Sequence, residues 1–402
     1  MRARVKSEGH LIDSGLLRRI MDEIIRSGAS YEFEEFRIGR TNDDVSTAIL
    51  DVRAADRRAL DELLERLLHL GAVPLEETPI VLEPAPAAGV VPDEFYSTTN
   101  HPTEVRLADG SWVEVEQQRM DAVIVVEDRR ARCVKLRDVP AGAPVVTGSG
   151  GIRVRPPAQE RDRAHFGFMS SEISSEKHVD HVVQRLTQDM RAARAAGRKV
   201  LVVAGPVVVH TGGVEPLERI LASGIVGGLL AGNALAVHDI ERAMFNTSLG
   251  IDATTGQGVV GGHRNHMRAI NAIRRAGDIR QAVESGRLSR GILHQCVRAG
   301  VPYVLAGSLR DDGPLPEVIT EMNAAQEAYA RMLEGAGVVL ILASMLHGIA
   351  TGNMLPSTVL TVCVDINPAV VTKLTDRGSA QTVGVVTDVG LFLSLLADRL
   401  EP

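Results

Sequence analysis

Two short stretches of this chain carry residue types whose spacing could do chemistry. The first is His210-Thr211-Gly212-Gly213, which ends the apolar run 200–209 and precedes a helical pattern. A strand that breaks into glycines just before a helix lets the backbone approach a phosphate and turns the unpaired N–H groups of the first helical turn toward it. The bland alternative is a tight connection; the functional one is a nucleotide site. The second stretch is Ser97-Thr98-Thr99-Asn100-His101, with Arg106 a few residues on. It gathers hydroxyl, amide, imidazole and guanidinium groups, the mixture needed to grip an amino acid's carboxylate and handle its protons.

Other segments of the carboxy-terminal half repeat the pattern of an apolar run ending in small and polar residues. Ser170, Ser171, Glu172 and Ser174 gather immediately before a helix whose apolar positions are Val179, Val182, Val183 and Leu186. Gly232 and Asn233 end a second apolar run, Asp312 lies in an acidic Gly-Pro loop after a third, Gly352 and Asn353 follow a fourth, and Asp388 follows a fifth. Such ends are expected outside the carboxyl edge of an open parallel sheet. Asp365, Lys373, Asp376 and Arg377 form a charged patch between two apolar runs, either solvated surface or a substrate-facing loop.

Three further motifs are read as structural. Gly256, Gly258 and Gly261 spell GxGxxG, but the preceding FNTSLGIDATT is no buried strand to aim the turn. His263 and His266 stand at helical spacing with no third metal ligand, so no metal is expected. Cys363 in TVCVD reads as a small buried residue.

The elements that must position these groups fall into three regions. Residues 1–85 read β-α-β-β-α-β, a ferredoxin-like module. Its first helix carries Leu16, Leu17, Ile20, Ile24 and Ile25, its second Leu60, Leu63, Leu64, Leu67 and Leu68, and its last strand lies near Ile80. EPAPAAGVVPDE is the linker, short alternating runs over 90–155 predict a small β-domain holding the Asn100 segment, and 160–402 predicts a Rossmann-like parallel-sheet domain. The fold class is therefore α/β.

Composition fits a cytoplasmic enzyme. The 402 residues are 45% hydrophobic and 24% charged, enough to bury large cores. A net charge of −7 disfavours nucleic acid as a partner. Only 3 cysteines occur, none in a CxxC pair, which argues for a reducing compartment. No charged-then-apolar leader opens the chain, and His347 and glycines interrupt the longest late apolar stretch, so neither secretion nor a membrane span is expected.

Laid side by side, SSEIS, HTGGVE, GNALAV, DDG and the late DV resemble, in order, the motifs lining the NAD site of deoxyhypusine synthase. The Trp-Gly-Lys of that enzyme's reactive lysine has no counterpart here, the nearest lysine being Lys373 in VVTKLTDRGS. The resemblance implies the fold and not the protein-lysine modification. A resemblance over the whole chain is closer. EGHLIDSG, DEFYSTTNHPTEVR, GIRVRPP, MSSEISSEK, GNALAVHDIE, SLRDDGPLP and VDINPAVVTKLTDRGS are similar to the LOR/SDH-domain family, which includes NAD-dependent ornithine cyclodeaminases of archaeal type.

That resemblance implies NAD as cofactor, ornithine as substrate, a homo-oligomer (dimer or tetramer), and no arginine-dihydrolase domain in front. It implies a redox-neutral reaction in which the Cα hydride is removed, the δ-amine closes the ring, ammonia leaves, and the same hydride returns to give proline. Asn100, His101, Asp365 and Lys373 are the expected catalytic residues, with His101 or Lys373 as base. Ser170, Ser171, Glu172, Ser174, His210, Thr211, Gly212, Gly213, Gly232, Asn233, Asp312, Gly352, Asn353 and Asp388 are the expected cofactor contacts. Two other functions stay open: an amino-acid dehydrogenase of saccharopine type, with net NADH production, and a non-catalytic nucleotide sensor.

Overall fold

The structure is a computed structural model that describes residues 1–402 except 10, 13–14, 40–43, 45, 76–77, 156–174, 253–254, 256, 258, 260–261, 312, 378–381 and 402. By internal contacts the chain divides into two compact units, Met1–Met169 with Asn353–Thr358, and Ser170–Gly352 with Val359–Pro402.

The first unit opens with strands β1 (Arg2–Gly9), β2 (Ser30–Arg37), β3 (Ser46–Arg53) and β4 (Ala72–Pro74), with helices Leu16–Arg26 and Arg57–His69 between them. The sheet order β2-β3-β1-β4 is that of a ferredoxin-like sandwich. Alternation drives it: Ala48, Leu50 and Val52 of β3 and Val5 of β1 turn inward against Ile20, Ile24, Leu60, Leu63, Leu64 and Leu67 of the helices. Ile25 departs from the sequence expectation and is 61% exposed, because one face of an 11-residue helix suffices to cover this small sheet. The last strand is also earlier than expected. Val73 pairs with Lys6 of β1, whereas Ile80 packs on the core of the following sheet, its N–H donating to the Arg106 carbonyl at 2.9 Å.

That following sheet comprises β5 (Val81–Pro84), β6 (Thr103–Arg106), β7 (Trp112–Glu116), β8 (Val123–Glu127), β9 (Arg130–Val134), β10 (Pro144–Thr147) and β11 (Ile152–Val154), in the order β11-β6-β7-β9-β8-β10-β5. Its core gathers Tyr96, Val105, Ile124, Val146 and Ile152, and Leu68 of the second ferredoxin-like helix joins it. Leu68 thus ties the two sheets of this unit into one packed body.

The second unit is a parallel sheet of β12 (Lys199–Ala204), β13 (Gly228–Gly232), β16 (Tyr303–Ala306), β17 (Ala336–Leu342), β18 (Leu360–Asp365) and β19 (Thr382–Val386), with a two-residue-per-strand hairpin, β14 (Thr247–Ser248) and β15 (Ile251–Asp252), beside it. The order is β16-β13-β12-β17-β18-β19. Counted within the unit this is 3-2-1-4-5-6, the doubly wound Rossmann arrangement, whose ligands bind outside the carboxyl ends where the order reverses. That reversal falls between β12 and β17. Both strands are buried along nearly their whole length, which explains their unbroken runs VLVVA and AGVVLIL. The helix Ser175–Ala195 buries Val179, Val182, Val183 and Leu186, as its periodicity predicts.

No described helix is long and apolar enough to cross a membrane, and no group of three or more metal-ligating side chains occurs among the described residues.

Candidate active site

In the second unit the candidate groups that the structure describes stand at or near the carboxyl edge of the parallel sheet. β12 ends at Ala204, not at 209; the rest of the apolar run is Gly205-Pro206 and the one-turn helix Val207–His210, whose Val208 and Val209 are buried. Proline supplies no N–H to a strand ladder and is preset for the first turn of a helix. Gly205 therefore marks the strand end, and a Cβ there would overlap the carbonyl oxygen of Ala343, the first residue after β17. The two loops flanking the switch point touch through this glycine.

Gly212 and Gly213 lie one helical turn later, at the start of the helix Val214–Ala222, and do different work. Gly212 is exposed at φ 76°, with no atom near the Cβ it lacks. Gly213 is buried, and a Cβ would lie 2.9 Å from the Val208 carbonyl oxygen and 3.0 Å from Leu393 Cδ1. Thr211 donates its hydroxyl to the Val207 carbonyl at 3.0 Å, and its own carbonyl abuts Gly390, where a side chain would collide. Asp388 accepts the Leu391 N–H at 2.9 Å and caps the helix Val389–Leu400.

At the end of β13, Gly232 lets the His347 ring approach, since a Cβ would stand 2.6 Å from its Cε1. Asn233 is buried, its Oδ1 accepting the Leu315 N–H at 3.1 Å. His347 lies 5.9 Å from the Tyr329 ring, centroid to centroid, and burial lowers its pKa, against the opposing field of Asp311. This half-buried imidazole, set against the end of β13, is a feature the sequence reading missed. Asp311 holds its own loop by accepting the Ser308 N–H at 2.8 Å. His210 Nδ1 meets Ser248 Oγ at 2.5 Å, and its pKa is lowered by partial burial and by His238. Large apolar side chains stand exposed along the same edge: Leu309, Met345, Leu346 and Ile366 follow the carboxyl ends of three strands, and Val386 ends a fourth. Exposed apolar groups gathered at one edge beside a few fixed polar ones are the makings of a ligand wall.

Asp365 ends β18. Its Oδ1 accepts the Asn367 N–H at 2.8 Å and its carbonyl the Thr387 N–H at 3.2 Å, joining the loops after β18 and β19. Lys373 is exposed, midway along the helix Pro368–Arg377, so the two members of the charged patch do not share a turn. The side chains of Asp376 and Arg377 lie outside the described residues, as do Ser170, Ser171, Glu172, Ser174, Asp312, and Gly256, Gly258 and Gly261. Cys363 is buried, and burial pushes its thiol up to about 12, so it is no nucleophile.

In the first unit the Asn100 segment is built into the protein rather than solvated. Thr98 is 3% exposed and donates its hydroxyl to the Arg119 carbonyl at 2.7 Å; its Oγ1 accepts the Ala122 N–H at 3.0 Å. Asn100 is 4% exposed, and its carbonyl accepts the Ser357 N–H at 2.7 Å. Gln118 donates its amide to the Thr99 carbonyl, and the His101 carbonyl accepts the Thr103 hydroxyl at 2.9 Å. Asn353 accepts the Met120 N–H on its carbonyl at 3.2 Å, which places it with this segment. Gly352 lies in the helix Leu346–Met354 with open space where a Cβ would point.

Around this frame, Gln118 Oε1, Arg119 Nε, Asn353 Oδ1 and Ser357 Oγ are buried and have no hydrogen-bond partner among the described residues. Leaving one such atom unsatisfied costs about 1–3 kcal/mol, so four of them near one polar segment require an account. A guanidinium, an amide oxygen and a hydroxyl suit a zwitterion carrying both carboxylate and ammonium. Gln118, Arg119 and Ser357 were missed from sequence because nothing local links them to Asn100.

Residues 2–101 match the family model described as the LOR/SDH bifunctional enzyme conserved region. Residues 102–183 and 184–396 match the first region and the Rossmann fold of the carboxy-terminal part of ArgZ-like arginine dihydrolases. The chain belongs to this LOR/SDH, ArgZ-like family. It is 50% identical over 400 residues to the ornithine cyclodeaminase of Methanopyrus kandleri, covering 99% of this chain and 97% of that one. It is 49% identical to the bifunctional arginine dihydrolase/ornithine cyclodeaminase AgrE of a Nostoc species, of which it spans 58%. Among solved structures, apo ArgZ, an arginine dihydrolase of cyanobacteria, matches all of this chain at a TM-score of 0.87 and 44% identity, with 58% of its own length covered. AgrE in ternary complex with ornithine and NAD+ matches at a TM-score of 0.54 and 48% identity, with 57% of its length covered.

Proposed function

We propose that this chain is an NAD-dependent ornithine cyclodeaminase that converts L-ornithine to L-proline and ammonia. The observation that carries the reading is the near-full-length likeness to an archaeal protein of that name, on a chain that has both a 3-2-1-4-5-6 sheet and a cluster of buried polar atoms around Asn100 suited to an amino acid.

The residues present fit a dinucleotide. The glycine-only approach at Gly205, the open space before Gly212, the N–H groups of the helix that follows Gly213, and the apolar groups along the sheet edge supply backbone access, an anion site and a wall. His210, Thr211, Gly212, Gly213, Gly232, Asn233, Gly352, Asn353 and Asp388, with Ser170, Ser171, Glu172, Ser174 and Asp312 outside the described residues, form the proposed cofactor set. When bound, NAD supplies a hydride acceptor and, later in the cycle, the donor that returns it.

The chain's own groups hold the amino acid and move its protons. Arg119 clamps the substrate carboxylate, while the amides of Asn100 and Gln118 and the Ser357 hydroxyl fix its orientation. His101 or Lys373 takes the proton from the substrate ammonium, and Asp365 supports the charge that develops. Asn100 and its neighbours are enclosed, which limits water and spares an imine from hydrolysis. A homo-oligomer in the cytoplasm is part of the same reading; size-exclusion chromatography with light scattering tests the assembly.

The decisive experiment incubates the pure protein with L-ornithine and NAD+ and follows proline, ammonia and absorbance at the NADH band. Equal proline and ammonia with no net NADH is expected. Net NADH would mark an amino-acid dehydrogenase instead, and NAD binding without turnover a nucleotide sensor.

A further inference from the structure

The first unit contains a cavity of about 520 Å³ that the proposed reaction does not use. Its volume lies in the range of small-molecule sites. One wall is Lys6 and Glu8 of β1 with Val73 and Pro74 of β4 and the adjoining Leu75; the other is Trp112 of β7 and the strand β11 with Arg155. β4 and β11 are each the terminal strand of their own sheet, paired on one side only. Both therefore line the cavity with backbone donors and acceptors that their sheets do not use.

The charges are arranged at two poles. On the β11 wall, the Arg153 guanidinium lies 4.0 Å from the centroid of the Trp112 ring, and Arg153 and Arg155 share Glu104 at 3.6 and 2.8 Å. On the β1 wall, Lys6 pairs with Glu8 at 2.6 Å, and Glu8 keeps 56% of its side chain exposed. Ion pairs of this kind are partly solvated and contribute little, so a ligand can exchange into them at small cost. The lining between them includes Val73, Pro74, Leu75 and the indole, an apolar stretch with two arginines sharing one carboxylate on one wall and a Lys6–Glu8 pair on the other.

We infer that this cavity is a second ligand site, separate from the polar cluster around Asn100, for a free α-amino acid with a basic side chain. Its carboxylate meets Arg153 and Arg155, the basic terminus of its side chain meets Glu8, and its aliphatic part lies against Val73 and Trp112. A bare anion would use only one pole and leave Glu8 as a repulsive neighbour; a neutral apolar molecule would use neither.

Trp112 is the chain's only tryptophan, so its fluorescence reports on this cavity directly. The full chain, without NAD, is titrated with L-ornithine, L-arginine, L-proline, L-glutamate, acetate and inorganic phosphate, and isothermal calorimetry supplies the second readout. L-ornithine or L-arginine is expected to give a saturable change that L-proline, L-glutamate, acetate and phosphate do not, weakened tenfold or more in both Arg153→Ala and Glu8→Gln and retained in Asn100→Ala. Calorimetry on Glu8→Gln, which leaves the indole and its cation in place, separates lost binding from a change in the fluorophore's surroundings. Silence toward both L-ornithine and L-arginine, an equal response to L-proline, L-glutamate, acetate or phosphate, or a response lost in Asn100→Ala and kept in Glu8→Gln would each overturn the assignment.

Discussion

Gly205 and Ala343 meet at the switch point of the parallel sheet, where a methyl group on Gly205 would overlap the Ala343 carbonyl oxygen. The loops after β12 and β17 close on each other only because residue 205 has no side chain. Gly205→Ala should force these loops apart, destabilise the domain by about 1–3 kcal/mol, the usual scale of overpacking, and weaken NAD binding at least tenfold. Thermal unfolding with NAD titration checks both. A variant with full NAD affinity would remove the switch point from the cofactor site.

The two glycines at 212 and 213 separate by substitution. Gly213→Val is expected to unfold or strongly destabilise the domain, because Val208 and Leu393 already occupy the space. It cannot test cofactor binding. Gly212→Asn can: asparagine tolerates a positive φ, so the fold should survive with a loss of about 1 kcal/mol or less. Its side chain then projects into the open space before the helix. NAD affinity falling tenfold or more, with the melting temperature held within a few degrees, is the expected result; undiminished affinity would place the phosphates elsewhere.

These glycines also mark where sequence stops being legible. Helical spacing located the buried faces at Leu60, Leu63, Leu64, Leu67 and at Val179, Val182, Val183, Leu186, because a period of 3.6 is a local property. The run 200–209 was read as one strand because strand and buried one-turn helix are equally apolar there; Pro206 was the available signal. Ile80 looked like the close of the first module, since its partner Arg106 lies in another sheet and leaves no trace in local pattern. The Asn100 segment was visible by composition. Its companions Gln118, Arg119 and Ser357 were not, because hydrogen bonds from distant parts of the chain bring them there.

Asp239 gives the second unit a pH dependence of definite sign. It is 1% exposed, and its oxygens accept the N–H groups of Ile292 and Leu293 at 2.8 and 2.9 Å, capping the helix Ile292–Ala299. Burial pushes its carboxyl from 3.8 up to about 7, against the pull of those two N–H groups, and the Glu218 carboxyl, also raised by burial, adds to the rise. Between those two values the folded state holds a proton that the unfolded state has released, so stability falls as pH rises through the window. Asp239→Asn abolishes the ionisation and keeps one acceptor. The wild-type urea midpoint should therefore fall relative to the variant's as pH rises from about 4 to about 7. Parallel pH profiles for the two proteins would refute the shift.

The last prediction concerns the polar frame around Asn100. Ser357 N–H donates to the Asn100 carbonyl, fixing the segment, while Asn100 is buried and Arg119 Nε and Ser357 Oγ point into protein without a partner among the described residues. If these groups grip the amino acid, Asn100→Ala and Arg119→Ala should each lower kcat/KM for ornithine at least tenfold while NAD affinity stays unchanged. Arg119→Lys should recover little, because an ammonium cannot reproduce the planar fork that meets a carboxylate twice. Lys373→Ala separates the two candidate bases. As base, Lys373 would take the acidic, rising limb of the pH–rate profile with it on replacement, since a base acts only once deprotonated; with His101 as base, Lys373→Ala keeps that limb and His101→Gln loses it. Full turnover in Asn100→Ala would make that residue scaffold, and the amino-acid pocket would have to be sought away from β6 and the 353–358 turn.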